Sequence, residues 1–569
     1  MPPVSGAVGS PPAIARQRAQ GTCDEERRRR TRFGLGTGVL AATPLMAVLC
    51  ALWAQHWTPT GDDAVIAWRS LDVLGRHSPL VGQFSQASTG RAIFDPGPLE
   101  YWALAIPVRV LPAGIGAAAG ATGVEVVTTV VALVAVARTA GRLAASMVTA
   151  GALLGTWSAA VAITDPVWNP NAALVPFAAT LLLGWAVAMG SLWWWPAMVA
   201  VASYCVQAHL MYGPAVLLAT ALAPLVGVVL RSPRRLDAGD AGWAATGIGA
   251  ALVLWSAPLY QQLAGHPGDL SSLWDATVAS SQPTVGWWNA LDQMARGIGP
   301  RPAWLGAPRP TPSSFALLGS TGQQVWTLAA IALVAVIGLL ALRRKRPDVV
   351  ALAAVTLSAV VGGLWALAGT PVAKSPTLSY LTWIVWPIGM FAWFTVGWGT
   401  ARLVGTVALV RRRRATRTLS GRSAWRILAA LACASVAVSI SLALTVDQWP
   451  PRNIYSPTSN GLAAVGIASL VERAPIAPQR LHIEVTGVQA YELAPAIAVQ
   501  LAKEGWSPTL SILLLHFTPD VAAWPTDAVL AVGGPTSGPA GGRRLGVVTV
   551  RDPDRVVHHW TVTYVRGTA

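Results

Sequence analysis

Two adjacent carboxylates, Asp62 and Asp63, stand in the stretch WTPTGDDAVIAWRSLDVLGRH (57–77), directly after an apolar run. A carboxylate pair at such an edge suits two kinds of work. It can cap a helix, because free N-terminal amides and the helix dipole both favour Asp, or it can take a proton as a general base. Asp62, Arg69 and Arg76 recur every seven residues and so share one face of a helix, while Ala64, Val65, Trp68, Leu71 and Leu74 form an apolar face. The spacing predicts a helix lying in the membrane interface with its acids at the N-terminal end.

Three further segments carry polar groups beside apolar runs. FDPGPLEYWALAIPVRVL (94–111) breaks at Pro-Gly-Pro and enters a helix with Glu100 and Tyr101, adding Asp95 and Glu100 to the acids. AITDPVWNPNAALVPF (162–177) places Asp165, Trp168, Asn169 and Asn171 in a tight loop, and CVQAHLMYGP (205–214) places Gln207, His209 and Tyr212 near a helix break. Such groups at membrane depth usually face a bundle interior or a wet cavity, although a lone histidine also serves as an interhelical hydrogen bonder. Together Asp62, Asp63, Asp95, Glu100, Asp165 and His209 offer a general base and oxygen ligands for a hard divalent cation (Mg, Mn or Ca), with Asp62, Glu100, Asp165 and His209 as its candidate ligands. Arg69, Arg76, Arg91 and Lys374 suit a phosphate. The collection fits displacement of a lipid-phosphate leaving group by a hydroxyl nucleophile.

The elements that must position these residues are membrane helices. Of 569 residues 53% are hydrophobic and only 12% charged, against roughly a quarter charged in soluble domains, and mean hydropathy is +0.50. The net charge of +16 comes from clusters between apolar runs, RRRRTR (27–32), RSPRR (231–235), RRKR (343–346) and RRRRATR (411–417). That is the pattern of cytoplasmic loops and excludes nucleic acid as the partner. The four cysteines show no metal spacing, and none falls in the C-terminal segment, so no disulfide framework holds it. The first apolar run lacks a small-x-small cleavage site and reads as an uncleaved span.

The expected fold is mainly α: a polytopic α-helical membrane protein of about eleven spans with a small C-terminal extracytoplasmic α/β domain. Residues 1–32 read as a disordered basic cytoplasmic tail. Residues 33–446 read as the membrane domain, with 98–137 taken as one crossing with an extension. Loops 56–97 and 261–320 fall outside, the latter bearing Trp274, Trp287, Trp288 and Trp304 as belt residues or sugar platforms. Residues 447–569 alternate strand-like runs at 480–485, 528–532, 545–550 and 560–565 with a helical stretch at 491–504. The N-terminus is then cytoplasmic in a plasma-membrane protein.

A first span, an outer loop opening on paired acids with an interfacial helix, and a proline-rich entry into the next span resemble the GT-C superfamily. These polytopic glycosyltransferases use polyprenyl-phosphate sugars and include protein O-mannosyltransferases, aminoarabinose transferases and actinobacterial arabinofuranosyltransferases. The resemblance covers roughly residues 33–275. The family's acidic pair corresponds to Asp62 and Asp63, its His-Pro-Pro-Leu element is similar to DPGPL (95–99), with Asp95 in the histidine position, and its later polar loop is similar to TDPVWNPN (164–171). The resemblance implies an inverting transfer from a polyprenyl-phosphate-linked sugar to a cell-envelope glycan, lipid or protein acceptor, with Asp62 or Asp63 as base and a cation and an arginine at the departing phosphate. Two other classes compete. A lipid-linked sugar transporter would show an internal repeat, and none is visible; a non-catalytic scaffold presenting its C-terminal domain would tolerate loss of both aspartates.

Overall fold

The computed structural model describes residues 13–85, 93–231, 238–277, 281–306, 322–372, 379–411, 421–446, 457–487, 489–510, 528–534, 541–551 and 557–566. Helix α1 (Ala13–Ala54) begins inside the segment expected to be a disordered tail, so residues 13–32 are corrected to helix. Glu25 and Glu26 stand four residues before Arg29 and Arg30 and pair with them, and Glu26 also reaches Arg142 at 3.0 Å. An apolar helix already formed extends through such a sequence without a new nucleus.

Helix α2 (Gly61–Leu71) follows, then α3 (Leu99–Val110) and α4 (Ala113–Thr139). Residues 98–137 are thus a hairpin rather than one crossing with an extension. Pro112 biases Leu111 to extended backbone (φ −100°, ψ 167°), which ends α3. The limbs run antiparallel in close contact: a Cβ on Gly116 would lie 2.5 Å from the Pro107 carbonyl and one on Gly120 3.1 Å from Leu104 Cα. With 12 residues, α3 is about 18 Å long, well short of the roughly 30 Å hydrocarbon core.

The bundle continues with α5 (Arg142–Ser158), the turns α6 (Ala160–Ile163) and α7 (Asn169–Ala172), α8 (Leu174–Ala188), α9 (Trp195–Ala208), α10 (Gly213–Leu230), and the bent pair α11 (Ala238–Leu254) and α12 (Ser256–Ala264). Then come α13 (Asp269–Thr277), α14 (Gly286–Ile298), α15 (Gln324–Arg343), α16 (Pro347–Ala368), α17 (Val385–Arg411) and α18 (Gly421–Thr445). Among the described residues eight helices are long and apolar enough to cross a membrane, and a ninth if α11 and α12 make one bent span. Two of the about eleven expected spans fall on α5, with 17 residues, and α9, with 14, both below span length.

The described arginine clusters gather at one end of the bundle. Arg142 meets Glu26, Arg138 stacks on Trp193 at the α8–α9 turn, and Arg402 pairs with Asp348 at 2.7 Å. The C-terminal domain sits at the opposite end. Its helices α19 (Pro457–Arg473) and α20 (Ala490–Lys503) pack on a five-stranded sheet of order β2-β1-β3-β5-β4. Strands β1 (Arg480–Val485), β2 (Ser507–Leu510) and β3 (Ala528–Gly533) are parallel, whereas β4 (Arg543–Arg551) and β5 (Val557–Arg566) join antiparallel. The four strand-like runs and the helical stretch read from sequence coincide with β1, β3, β4, β5 and α20.

Helix α2 does not present its expected apolar face to lipid. Eight of its eleven residues, Arg69 among them, are buried, because α3 and α4 cover one side of it and α20 the other. Its apolar positions meet protein. The helix also ends at Leu71, so Arg76 falls beyond it and is exposed, and the face expected to run from Asp62 to Arg76 stops at Arg69.

Candidate functional site

Four chain segments converge where α2 begins. Gly61 takes a positive φ of 53° at the start of α2, and Asp62 and Asp63, consecutive on the helix, point about 100° apart. Asp62 lines a cavity of about 350 Å³ with Gln83, Asp95, Trp168, Asn169, His209 and Tyr380. Asp63 is not among its lining residues; it faces the Asp165 carboxyl and Glu492 instead.

Three donors hold the Asp62 carboxylate. Tyr491 O–H donates to Oδ1 at 2.5 Å, Gln83 Nε2 to Oδ1 at 3.0 Å, and Trp168 Nε1 to Oδ2 at 3.2 Å. Gln83 is itself fixed by Tyr101, whose hydroxyl donates to Oε1 at 3.1 Å. Burial raises the Asp62 pKa and these hydrogen bonds pull it back. Asp63 is pushed well above the usual carboxylate range, by burial first and then by Asp165 and Asp62; burial brings Asp165 up to about 6. Two buried carboxyls in contact hold a proton between them. The adjacent acids are thus unlike: Asp62 offers its carboxyl to a cavity under three donors, and Asp63 pairs with Asp165 away from it.

Asp95 organises the far wall. Its Oδ1 accepts from Leu210 N–H at 2.9 Å and its Oδ2 from Asn169 Nδ2 at 2.8 Å, while its backbone pairs with Gly82 and Gln83. Burial pushes its pKa well up. With both oxygens used in this way, Asp95 is a brace. Asn169 also reaches the Ala208 carbonyl at 3.0 Å, and Tyr212 donates to the Pro170 carbonyl at 2.8 Å, tying the 164–171 loop to the α9–α10 break. Asn171 donates to Asp165. His209 accepts from Met211 N–H through Nδ1, and its ring stands edge-on to Tyr380 at 5.6 Å, which in turn meets Trp168 at 4.9 Å. The result is an aromatic wall beside the Asp62 carboxylate, with Asp95 bracing the far side, an arrangement suited to a ring bearing hydroxyls.

Other expected residues lie elsewhere. Arg69 is buried and pairs with Asp72 at 2.6 Å, Glu100 is buried with one oxygen unpartnered, and Gln207 donates to the Leu254 carbonyl at 2.9 Å; none of the three lines the cavity. Arg91 and Lys374 lie outside the described residues. The four candidate cation ligands do not converge: Asp165 turns to Asp63, Glu100 of α3 does not line the cavity, and among the described residues no three His, Cys, Asp or Glu form a metal-holding group. No step is therefore routed through a cation. Trp274, Trp287 and Trp288 are exposed, while Trp304 is buried and donates to the Gly297 carbonyl at 2.8 Å.

Sequence reasoning missed Gln83, Tyr380, Tyr491 and Glu492. Tyr491 and Glu492 open α20, and Glu492 packs on Gly61 and Thr60, where an added Gly61 Cβ would lie 2.8 Å from its Oε2. The tyrosine–acid pair at the start of an amphipathic helix was the one visible signal. No family model matches the chain, and none of the curated proteins matches it.

Proposed function

We propose that this chain is a GT-C-type membrane glycosyltransferase that moves a sugar from a polyprenyl-phosphate donor to a hydroxyl of an extracytoplasmic glycan, lipid or protein, with inversion. The observation that carries the reading is the Asp62 carboxylate, held by three donors on the wall of a 350 Å³ aromatic cavity at one end of an apolar bundle. In this reading Asp62 takes the proton from the acceptor hydroxyl as its oxygen bonds to the anomeric carbon. The bond from that carbon to the phosphate oxygen breaks, and the lipid phosphate leaves with the electron pair. Trp168, His209 and Tyr380 contact the sugar, while Asn169 and Asp95 position the wall. Asp63 keeps its proton and takes no direct part.

The same reading has eleven passes, with α5 and α9 as short additional ones, the arginine-rich end in the cytoplasm of a plasma-membrane protein and the C-terminal domain outside. Purified protein given a polyprenyl-phosphate sugar and a glycan acceptor should release lipid phosphate. Asp62→Asn should slow transfer by about a thousandfold, as loss of a general base does, with an unchanged melting temperature. Full activity in that folded variant rejects the reading.

A further inference from the structure

The end of the bundle away from the C-terminal domain carries a basic cleft that the transfer chemistry does not use. Two adjoining cavities of about 410 and 320 Å³ share Arg27 and Arg138. Arg138 ends α4 with its guanidinium 4.2 Å above the Trp193 ring and 5.9 Å from Trp194. Stacking covers one face of that group and leaves its N–H edge for oxygen acceptors. The one carboxylate on the lining, Glu26, already engages Arg30 and Arg142 at 3.0 Å each. Among the described residues no carboxylate pairs with Arg27, Arg28 or Arg32.

The cleft also has a direction. Arg28 and Arg32 line its second cavity, and the same face of α1 continues four, three and four residues apart through Leu35 and Val39. Leu35 is 45% and Val39 59% exposed, within a helix of span length. Charge at the rim thus runs directly into an apolar stripe. A soluble phosphate would use only the first half of this surface.

We propose that the cleft binds the phosphate of an anionic membrane phospholipid, whose acyl chains lie along Leu35 and Val39. The assignment is independent of the glycosyltransferase reading. The full-length protein, delipidated in detergent, is titrated separately with phosphatidylglycerol, phosphatidylcholine of the same chains, and inorganic phosphate, with bound lipid read by native mass spectrometry. Phosphatidylglycerol should bind well ahead of phosphatidylcholine. Arg27→Gln and Arg138→Gln should each weaken it about fivefold, and the double variant about 25-fold, the usual effect of a basic residue at an anionic surface. Arg29→Gln, outside both cavities, should leave affinity unchanged. Since Arg27 is exposed, its single variant keeps the test valid should the Arg138 variant misfold. Equal binding of the two lipids, wild-type affinity in Arg27→Gln, or inorganic phosphate binding as tightly as phosphatidylglycerol would each overturn the proposal.

Discussion

Tyr491 and Asp63 carry the sharpest tests at the scale of single residues. The Tyr491 hydroxyl lowers the Asp62 pKa against burial, and a hydrogen bond to a charged group is worth about 1.5–3 kcal/mol. Tyr491→Phe should therefore move the acidic limb of the pH–rate profile up by about one to two units, with the plateau rate retained at higher pH; an unmoved limb removes the role. Asp63 and Asp165 have raised pKa values in the folded protein, Asp165 to about 6, so folding favours the protonated pair. Their contribution is complete below the ordinary Asp range and is lost as pH rises through those raised values. Asp63→Asn keeps a donor facing Asp165 and removes one ionisable group. It should raise the melting temperature above about pH 7 and change it little near pH 3, below the ordinary Asp range, and a drop at the higher pH would contradict the shared proton. Asp62 was legible in the sequence because acids beside an apolar run are conspicuous. Its difference from Asp63 was not, since that rests on which distant segments cover each carboxyl, the cavity wall for one and a loop a hundred residues away for the other.

Between elements, the α1–α4 contact is set by glycine. A Cβ on Gly34 would lie 2.8 Å from Val134 Cα, and one on Gly38 3.0 Å from Val130 Cα, whereas Gly36 meets nothing within 4 Å. Small residues four apart let backbones approach where lipid gives no hydrophobic drive. Gly34→Leu should cost about 1–3 kcal/mol by overpacking, and Gly36→Leu close to nothing, both read from unfolding monitored by tryptophan fluorescence; equal effects would refute the packing account. Hydropathy made the long spans visible, since α15 and α16 are dominated by apolar residues between polar end residues such as Gln324, Arg343 and Asp348. It could not reveal that Pro112 folds α3 back on α4, because both limbs are apolar and only the break distinguishes a hairpin from a long crossing. That protein rather than lipid covers the apolar face of α2 was hidden for a related reason. An apolar face does not declare whether lipid or another helix will cover it.

For the molecule as a whole, the arginine-bearing end and the C-terminal domain lie at opposite poles of the bundle, which makes orientation testable with two exposed positions. In a cysteine-free background, Leu74→Cys, beside the domain and 94% exposed, should react with a membrane-impermeant maleimide on intact cells. Lys345→Cys, in the exposed turn between α15 and α16, should react only after lysis, and the reverse pattern would invert the proposed topology. The α/β character of the C-terminal segment was readable from its alternating strands, but its docking on α2 was not, since local pattern carries no record of contacts between distant segments. That docking also gives the molecule a timetable. Asp62 and Tyr491 are 429 residues apart, and at ribosomal speeds of about 5–20 residues per second the tyrosine is made roughly 20–90 s after the aspartate. Throughout that interval the newly inserted bundle has its carboxylate without the hydroxyl that tunes it, so every copy passes through an untuned infancy and matures only when the domain bearing Tyr491 has folded.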